Sequence, residues 1–203
     1  MIIISLTKFI NGKASREKWA KNLDVLNPLS ILEFNQICNN SFIKRADIVL
    51  DDNIKRQSTI NVENFNKDIW SQKNEHIYIF TKNDVIMKIG GTRDGLKGRW
   101  GSYGCGYYVP ERNNKHGVPY PGKMSVTNAY LYHTIEKDLL ENQSKWEIYS
   151  WLLPDMKFPV SILDREVNIF AQTFHAYESV CINKYKEKTG YIPILCVNSD
   201  PNY

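Results

Sequence analysis

The sequence predicts an α/β fold, or in looser terms an α+β fold, with a small, mostly antiparallel central sheet flanked by helices. Two β-rich runs, at 77–81 and 85–89, are separated by three polar residues, which is typical of a hairpin. Apolar residues recur at three- and four-residue steps in 127–140 and in 161–188, which predicts helices that cover the sheet. Hydrophobic residues make up 42% of the 203 residues, so one domain with an elaboration is expected.

Residues 1–70 are expected to form an N-terminal helical extension. Apolar residues at helical spacing in 15–26 predict a first helix. Ser30 followed by Glu33 is a capping-box pattern, which predicts that a second helix begins directly after it. Residues 47–65 alternate only weakly and predict no definite element.

A hairpin and a short helix are predicted over residues 77–103. The polar residues 82–84 supply the turn, and the glycine pair at 90–91 ends the second strand. Thr92 or Asp94 can then cap a helix over 96–103.

Three further elements are predicted after the helix at 127–140. Residues 145–153 alternate between two faces, which predicts a strand. The apolar stripe over 161–188 predicts the longest helix, and Gly190 follows it where a helix stop is expected. Residues 191–197 predict a last short strand.

The connection at 101–126 is rich in glycine, proline and tyrosine. It is too long for a neutral connection in a compact domain, and such loops are usually functional or disordered. From 82 to 123 the chain carries eight Lys or Arg against three Asp or Glu, a local charge of +5 within a total of +4. A field of this kind attracts polyanions, most often phosphate backbones, although a solvated basic loop would have the same composition.

Several classes of protein are disfavoured by the sequence. No apolar run approaches the roughly 18 to 20 residues that span a bilayer, and the apolar start lacks the basic residues and cleavage site of a signal peptide. The four cysteines are far apart and form no Cys-x-x-Cys pair, so zinc is not indicated. Reduced thiols in a cytoplasm are the simplest interpretation, without membrane association.

Four polar residues stand at a distinctive spacing in the predicted hairpin and helix. Lys88 follows Tyr78 by ten residues, Arg99 follows Lys88 by eleven, and Tyr103 follows Arg99 by four. This pattern resembles the GIY-YIG nuclease superfamily, whose two motifs stand here as His-Ile-Tyr at 76–78 and Lys-Ile-Gly at 88–90. The lysine makes the pattern most similar to small type II restriction endonucleases that share it.

The resemblance covers roughly residues 75–203 and implies a metal-dependent endonuclease of double-stranded DNA. It implies Mg²⁺ or Mn²⁺ as the cofactor, one per active site, and places Tyr78, Lys88, Arg99 and Tyr103 in that site. A phenol is a poor base unless a nearby cation favours the phenolate, so we expect Lys88 to face Tyr78 across the hairpin and lower its pKa. Arg99 can offer a planar fork to a phosphate, and Tyr103 can position the water or the phosphate.

The metal-binding carboxylate is expected on the long helix. A helical wheel directs Glu187 to solvent and leaves Glu178 and Glu166 on either side of the apolar stripe. The superfamily places a glutamate before a strand that ends near an asparagine, which favours Glu178, with Asn198 downstream, over Glu166.

The expected DNA contacts combine basic, aromatic and amide side chains after the hairpin. They are Arg93, Lys97, Tyr107, Tyr108, Arg112, Lys115, His116, Lys123 and Asn128. His175, in the predicted long helix, is expected to be structural or surface.

Two chains are expected on the DNA. An enzyme with one site per chain needs two chains to cut both strands, so a homodimer is expected. Residues 71–203 would form the nuclease domain, and residues 1–70 would extend the DNA surface or the dimer contact. A repair, recombination or homing nuclease on the same core, and a non-catalytic nucleic-acid-binding module, are the alternatives.

Overall fold

The computed structural model describes residues 13, 16–51, 53, 58–107, 111–113, 119–121 and 126–196, with only the backbone for 107, 111–113, 119–121 and 126. The strands are β1 (Ile43–Leu50), β2 (Ile60–Glu63), β3 (His76–Lys82), β4 (Val85–Thr92), β5 (Glu111–Asn113), β6 (Pro119–Pro121), β7 (Trp146–Leu152), β8 (Met156–Ile162) and β9 (Arg165–Ala171). The helices are α1 (Ile31–Ile37), α2 (Lys67–Ser71), α3 (Gly95–Gly104), α4 (Val126–Glu141) and α5 (Phe174–Thr189), and Cys105–Tyr107 forms a 3₁₀ turn.

A five-stranded antiparallel sheet in the order β2-β1-β7-β3-β4 forms the centre of the fold. This confirms the predicted mixed fold with helices flanking a central antiparallel sheet. The sheet is larger than expected because β1 and β2 join it through β7. The expectation that residues 1–70 are helical is therefore wrong over 43–50 and 60–63, which form strands. A bulge between Lys44 and Ala46 breaks the alternation that would have marked β1 in the sequence.

The predicted hairpin and the predicted capping box are both confirmed. Asn83 and Asp84 form the turn between β3 and β4 with φ values of 47° and 65°, the left-handed pair that a two-residue hairpin turn requires. The Ser30 side chain accepts from the Glu33 backbone N–H at the start of α1, and the Glu33 carboxylate accepts from the Ser30 N–H.

The single long helix predicted over 161–188 is wrong in its first half. Residues 156–171 form the β8–β9 hairpin, whose turn residues Leu163 and Asp164 have φ values of 47° and 61°, and α5 begins only at Phe174. β-branched side chains recur at alternate positions of both strands, and this favours extended backbone over helix. The predicted helix stop is right, since Gly190 ends α5 with a left-handed φ of 85°.

The C-terminal segment at 191–196 covers the free edge of β4 but forms no strand in the part that is described. Its backbone reaches β4 through one hydrogen bond, from Leu195 N to Met87 O at 2.9 Å. The Cys196 thiol lies against both backbone groups of Ile89, donating to the carbonyl at 3.1 Å and accepting from the N–H at 3.3 Å. These contacts satisfy backbone groups of Met87 and Ile89 on the outer edge of β4.

The two faces of the sheet are covered by different helices. Buried residues of α3 and α4 pack with Tyr78, Phe80 and Ile148 on one face. Buried residues of α1 and α5 pack with Ile77 and Ile79 on the other. Among the described residues, no helix is both long enough and apolar enough to cross a bilayer.

Candidate active site

Tyr78, Arg99 and Tyr103 are in direct contact on the face of the sheet that α3 covers. Arg99 and Tyr103 lie one turn apart on α3, which directs both side chains to the same side of the helix. The Arg99 Nε donates to the Tyr78 hydroxyl at 2.9 Å, and the Tyr78 and Tyr103 hydroxyls are 2.5 Å apart. Both phenols are buried, with 1% and 2% of their surface exposed. Three of the four residues that the spacing singled out therefore form one cluster.

The glycine pair at the end of β4 lets groups approach the strand from both faces of the sheet. Gly90 is paired with Tyr78, and a Cβ on Gly90 would lie 2.2 Å from the Tyr78 hydroxyl oxygen. A Cβ on the next residue, Gly91, would lie 2.6 Å from the Phe174 ring and 2.9 Å from Glu178 Oε2. A side chain at either position would displace the Tyr78 hydroxyl on one face or α5 on the other.

Lys88 does not stand opposite Tyr78, and that expectation is wrong. The register of the hairpin pairs Lys88 with Phe80. Lys88 and Tyr78 therefore lie on the same face of the sheet as diagonal neighbours, not directly opposite each other. The Lys88 side chain is buried, and its Nζ donates to the Leu195 carbonyl at 3.1 Å. The C-terminal segment thus fixes the position of this cation.

The pKa of Tyr78 is raised well above that of a free tyrosine, contrary to the expected lowering. Burial is the largest cause, and the neighbouring Tyr103 adds to it. Lys88 and Arg99 act in the expected direction and lower the pKa of Tyr78, but burial outweighs them. The phenol is therefore protonated at neutral pH. Burial also raises the pKa of Tyr103, against the opposing charge of Arg99.

His76, the first residue of β3, lies outside this cluster. The residue is fully buried, and its Nδ1 is 3.3 Å from the Ser150 hydroxyl, which also accepts from Arg45 Nε at 3.0 Å. Burial, reinforced by the charge of Arg45, lowers the pKa of His76 to about 4. The imidazole is therefore neutral at physiological pH.

A cleft of about 600 Å³ opens at the end of the edge strand β4, where groups from both faces of the sheet meet. Arg99 reaches it from α3, and Glu178 reaches it from α5. Arg93 and Asp94, both exposed, lie at the β4–α3 junction on its lining. The cleft thus contains two groups of opposite charge, the guanidinium of Arg99 and the carboxylate of Glu178. The first is suited to binding a phosphate and the second to binding a cation.

The two candidate metal carboxylates lie in different places. Glu178 lines the cleft, whereas Glu166 lies on the exposed β8–β9 hairpin opposite Ser161. Within the described residues, no group of three or more His, Cys, Asp or Glu side chains could hold a metal ion. A single carboxylate is nevertheless a suitable donor set for Mg²⁺, which retains several waters and accepts substrate phosphate oxygens. Glu178 fits that requirement because it faces the same cavity as Arg99.

His175 also lines the cleft, one helical turn before Glu178. Its ring lies against the Phe174 ring, with centroids 3.9 Å apart, and the residue is exposed. The sequence analysis did not place His175 in the site. The signal was present in the sequence, because His175 stands three residues before Glu178 in a segment predicted to be helical.

The expected DNA contacts are only partly described by the structure. Arg93 and Lys97 are exposed beside the cleft, and Arg93 Nε lies 3.3 Å from Asp94 Oδ2. Asn128 instead ties the start of α4 to α3, because its amide donates to the Ser102 carbonyl at 2.9 Å. For the remaining residues, the side chains lie outside the described part of the structure: Tyr107, Tyr108, Arg112, Lys115, His116 and Lys123.

Solved structures that are similar to this chain include the following two. The restriction endonuclease HPY188I in complex with product DNA aligns with a TM-score of 0.48 and 17% identity, over 83% of this chain and 86% of that one. A mutant of EndoII from bacteriophage T4 aligns with a TM-score of 0.46 and 16% identity, over 80% of this chain and 99% of that one. No protein-family model and no curated protein matches the sequence.

Proposed function

We propose that the chain is a metal-dependent endonuclease of the GIY-YIG type that hydrolyses phosphodiester bonds of double-stranded DNA, as a type II restriction enzyme does. One observation carries the proposal. Tyr78, Tyr103 and Arg99 contact one another beside a cleft that also contains Glu178. These residue types, at this spacing in the sequence, are the ones that the superfamily uses.

Arg99 binds the scissile phosphate in this proposal. Its Nε donates to Tyr78, and the residue lines the cleft, so we propose that a terminal N–H group of the fork donates to a phosphate there. Negative charge develops on the non-bridging oxygens during hydrolysis, and a preoriented cation stabilises it. Although burial opposes its charge, the two phenols raise the pKa of Arg99, so the guanidinium remains charged.

Tyr78 is the general base in this proposal, acting through the small fraction of its phenolate. Lys88 and Arg99 are the two cations that stabilise the phenolate against the cost of burial. The Tyr78 oxygen is hydrogen-bonded to the Tyr103 hydroxyl. The attacking water must therefore either displace the Tyr103 hydroxyl or pass its proton to Tyr78 through that hydroxyl. Tyr103 thereby controls which water loses a proton.

Glu178 is the protein ligand for Mg²⁺ or Mn²⁺ in this proposal, and it is preferred over the runner-up Glu166 because Glu166 lies on the projecting hairpin. Glu178 presents its carboxylate to the cleft that Arg99 also lines. When bound, the cation would neutralise charge on the phosphate and assist the leaving oxygen.

The basic surface around the cleft is proposed to bind DNA. Arg93 and Lys97 extend the positive charge beside Arg99, and the loop at 101–126 continues the basic segment of the sequence. We propose that the protein acts in the cytoplasm, because all four cysteines are free thiols. Residues 1–70 are proposed to add to the DNA or dimer surface beyond the two strands that they give to the sheet.

Incubation of the purified protein with plasmid DNA and Mg²⁺ tests the function. Discrete fragments that disappear when the metal is chelated are the expected result, and run-off sequencing of their ends gives the site and the cleavage position. Preference for branched DNA over plasmid would indicate a repair or recombination nuclease. Binding without cleavage at any metal concentration would indicate a non-catalytic module and overturn the proposal.

A further inference from the structure

The β8–β9 hairpin projects from the body of the protein between β7 and α5. Every residue from 154 to 170 is exposed, including those of both strands and the turn. Neither face of the hairpin is therefore packed against the sheet or the helices. A two-stranded hairpin of this kind is only marginally stable in water unless one of its faces is covered.

One face of the hairpin is almost wholly apolar. Residues directly opposite each other in an antiparallel pair share a face, as do alternate residues along each strand. By this register, the first face carries Met156, Phe158, Val160 and Ile162 from β8 with Ala171, Ile169, Val167 and Arg165 from β9. The second face is mixed and carries Lys157, Pro159 and Ser161 opposite Phe170, Asn168 and Glu166. The alternation is that of a strand pair built to bury one side.

The apolar face forms one continuous patch of exposed side chains. Its Met, Phe, Val and Ile side chains are between 36% and 51% exposed. Together, these six side chains present roughly 500 Å² of apolar surface, within the range of the largest patch on a typical soluble protein. The largest apolar patch on a soluble protein is often functional.

We propose that this apolar face is a dimer contact, which packs against the same face of a second copy of the chain about a two-fold axis. The face is self-complementary, with Val160 paired to Val167 near its centre, so two copies cover each other's apolar residues. Two such faces together bring about 1,000 Å² of apolar surface into contact, which is near the lower limit for a specific interface. Stacked hairpins also remove the instability of the isolated pair of strands.

The charge of the hairpin favours a protein partner over DNA. Residues 155–171 contain two basic residues, Lys157 and Arg165, and three acidic residues, Asp155, Asp164 and Glu166. The net charge of −1 is repelled by a phosphate backbone, whereas apolar side chains gain from mutual burial. The basic residues of the chain are concentrated instead between 82 and 123.

The dimer contact would also fix the two clefts relative to each other. The hairpin leads through only two residues into α5, which carries Glu178 into the cleft. This geometric consequence rests on the proposed function, but the dimer itself does not. The test therefore uses no DNA and no metal, so that the dimer and the endonuclease function are tested independently of each other.

The test measures the mass of the full-length protein by sedimentation equilibrium over about 1 to 100 µM. The 23.6 kDa chain is expected to be a dimer at the upper end. The double variant Val160→Lys and Val167→Lys puts two charges at the centre of the apolar face, and we expect it to weaken dimerisation at least 100-fold. The matched control Ser161→Lys and Asn168→Lys places the same charges on the second face and is expected to dimerise like the wild type.

A second measurement on the unmodified chain keeps the test independent of how the variants fold. Amide hydrogen exchange in β8 and β9 is expected to slow as the protein concentration rises, because the contact protects the hairpin. A wild-type protein that stays monomeric at 100 µM would overturn the proposal. Equal weakening by both double variants, or a hairpin whose exchange slows only when DNA is added, would overturn it as well.

Discussion

The Arg99 side chain donates through Nε to the hydroxyl oxygen of Tyr78 at 2.9 Å, and this contact joins α3 to strand β3 of the sheet. The guanidinium carbon also lies 5.0 Å from the centre of the Tyr103 ring. A planar cation placed over an aromatic ring and held by a hydrogen bond has little rotational freedom. The orientation of the remaining guanidinium N–H groups is therefore set before any ligand arrives.

Replacing Arg99 by lysine should reduce DNA cleavage strongly although the charge is kept. Lysine lacks the Nε donor that Tyr78 accepts, and its ammonium cannot form a planar fork toward a phosphate. Removing one preoriented donor from a transition state typically costs about 100- to 1,000-fold in rate, and we expect a loss in that range. Single-turnover cleavage of a plasmid by Arg99→Lys measures it.

The matched control for this variant is Arg93→Lys. Arg93 lines the same cleft but is exposed and contacts only the neighbouring Asp94 among the contacts described. We expect Arg93→Lys to cleave within a few-fold of the wild type. If Arg99→Lys retained the same activity as this control, Arg99 would contribute charge alone.

Cleavage should accelerate with pH if the phenolate of Tyr78 is the base. Burial raises the pKa of Tyr78 well above the usual value near 10, so at every pH below that value most of the phenol is protonated. The phenolate fraction then grows about tenfold for each pH unit, and the single-turnover rate should rise with a slope near one between about pH 6.5 and 9. Measuring that rate across the range, at constant ionic strength, gives the slope.

Two variants separate Tyr78 from other sources of pH dependence. Tyr78→Phe should remove most of the activity and the slope with it. Lys88→Met should lower the rate at every pH and leave the slope unchanged, because Lys88 lowers the pKa of Tyr78 without being the base. A wild-type rate that does not change with pH would contradict the role of Tyr78. So would near wild-type rates in both variants.

Replacing Glu178 by glutamine should abolish metal-dependent cleavage while DNA binding is retained. Glutamine keeps the shape of the side chain but removes the charge that a divalent cation requires. We expect a rate at least 100-fold below the wild type that additional Mg²⁺ does not restore. Calorimetric titration with Mn²⁺ in the presence of DNA should show the loss of a binding site.

Glu166→Gln and Glu187→Gln are the controls for this prediction. Glu166 lies on the projecting hairpin, and Glu187 lies on the exposed side of α5, so both should retain wild-type activity. Loss of cleavage in Glu166→Gln with full activity in Glu178→Gln would reverse the assignment of the metal ligand.

The hairpin and the residue cluster could be predicted from the sequence because they depend on local chemistry. Asn83 and Asp84 are turn residues, the strands beside them are β-rich, and α3 follows within a few residues. Because the connection from the hairpin to α3 is short, a tyrosine on β3 and two residues one turn apart on α3 are expected to lie close together. The spacing of Tyr78, Arg99 and Tyr103 therefore carried most of the information about this side of the site.

The parts that could not be predicted depend on contacts between residues far apart in the sequence, or on a hydrophobic pattern that fits both a helix and a strand. β1 and β2 join the sheet through β7, which lies about 100 residues further along the chain, and no local pattern shows that pairing. Apolar residues of 156–171 fit the steps of a helix as well as the alternation of a strand, and the turn at Leu163 and Asp164 decides between them. The burial that raises the pKa of Tyr78 is likewise a property of the packed protein.

Replacing Gly90 by alanine should both destabilise the protein and impair the site. The new Cβ would lie 2.2 Å from the Tyr78 hydroxyl oxygen, so the phenol must move in a close-packed core, and overpacking of this kind costs about 1 to 3 kcal/mol. Urea unfolding measures the loss of stability, and plasmid cleavage measures the effect on Tyr78. The matched control is Gly101→Ala in α3, where a Cβ meets no atom within 4 Å and alanine should stabilise the helix by up to about 1 kcal/mol. Equal stability of Gly90→Ala and the wild type would show that the Tyr78 hydroxyl does not require the glycine.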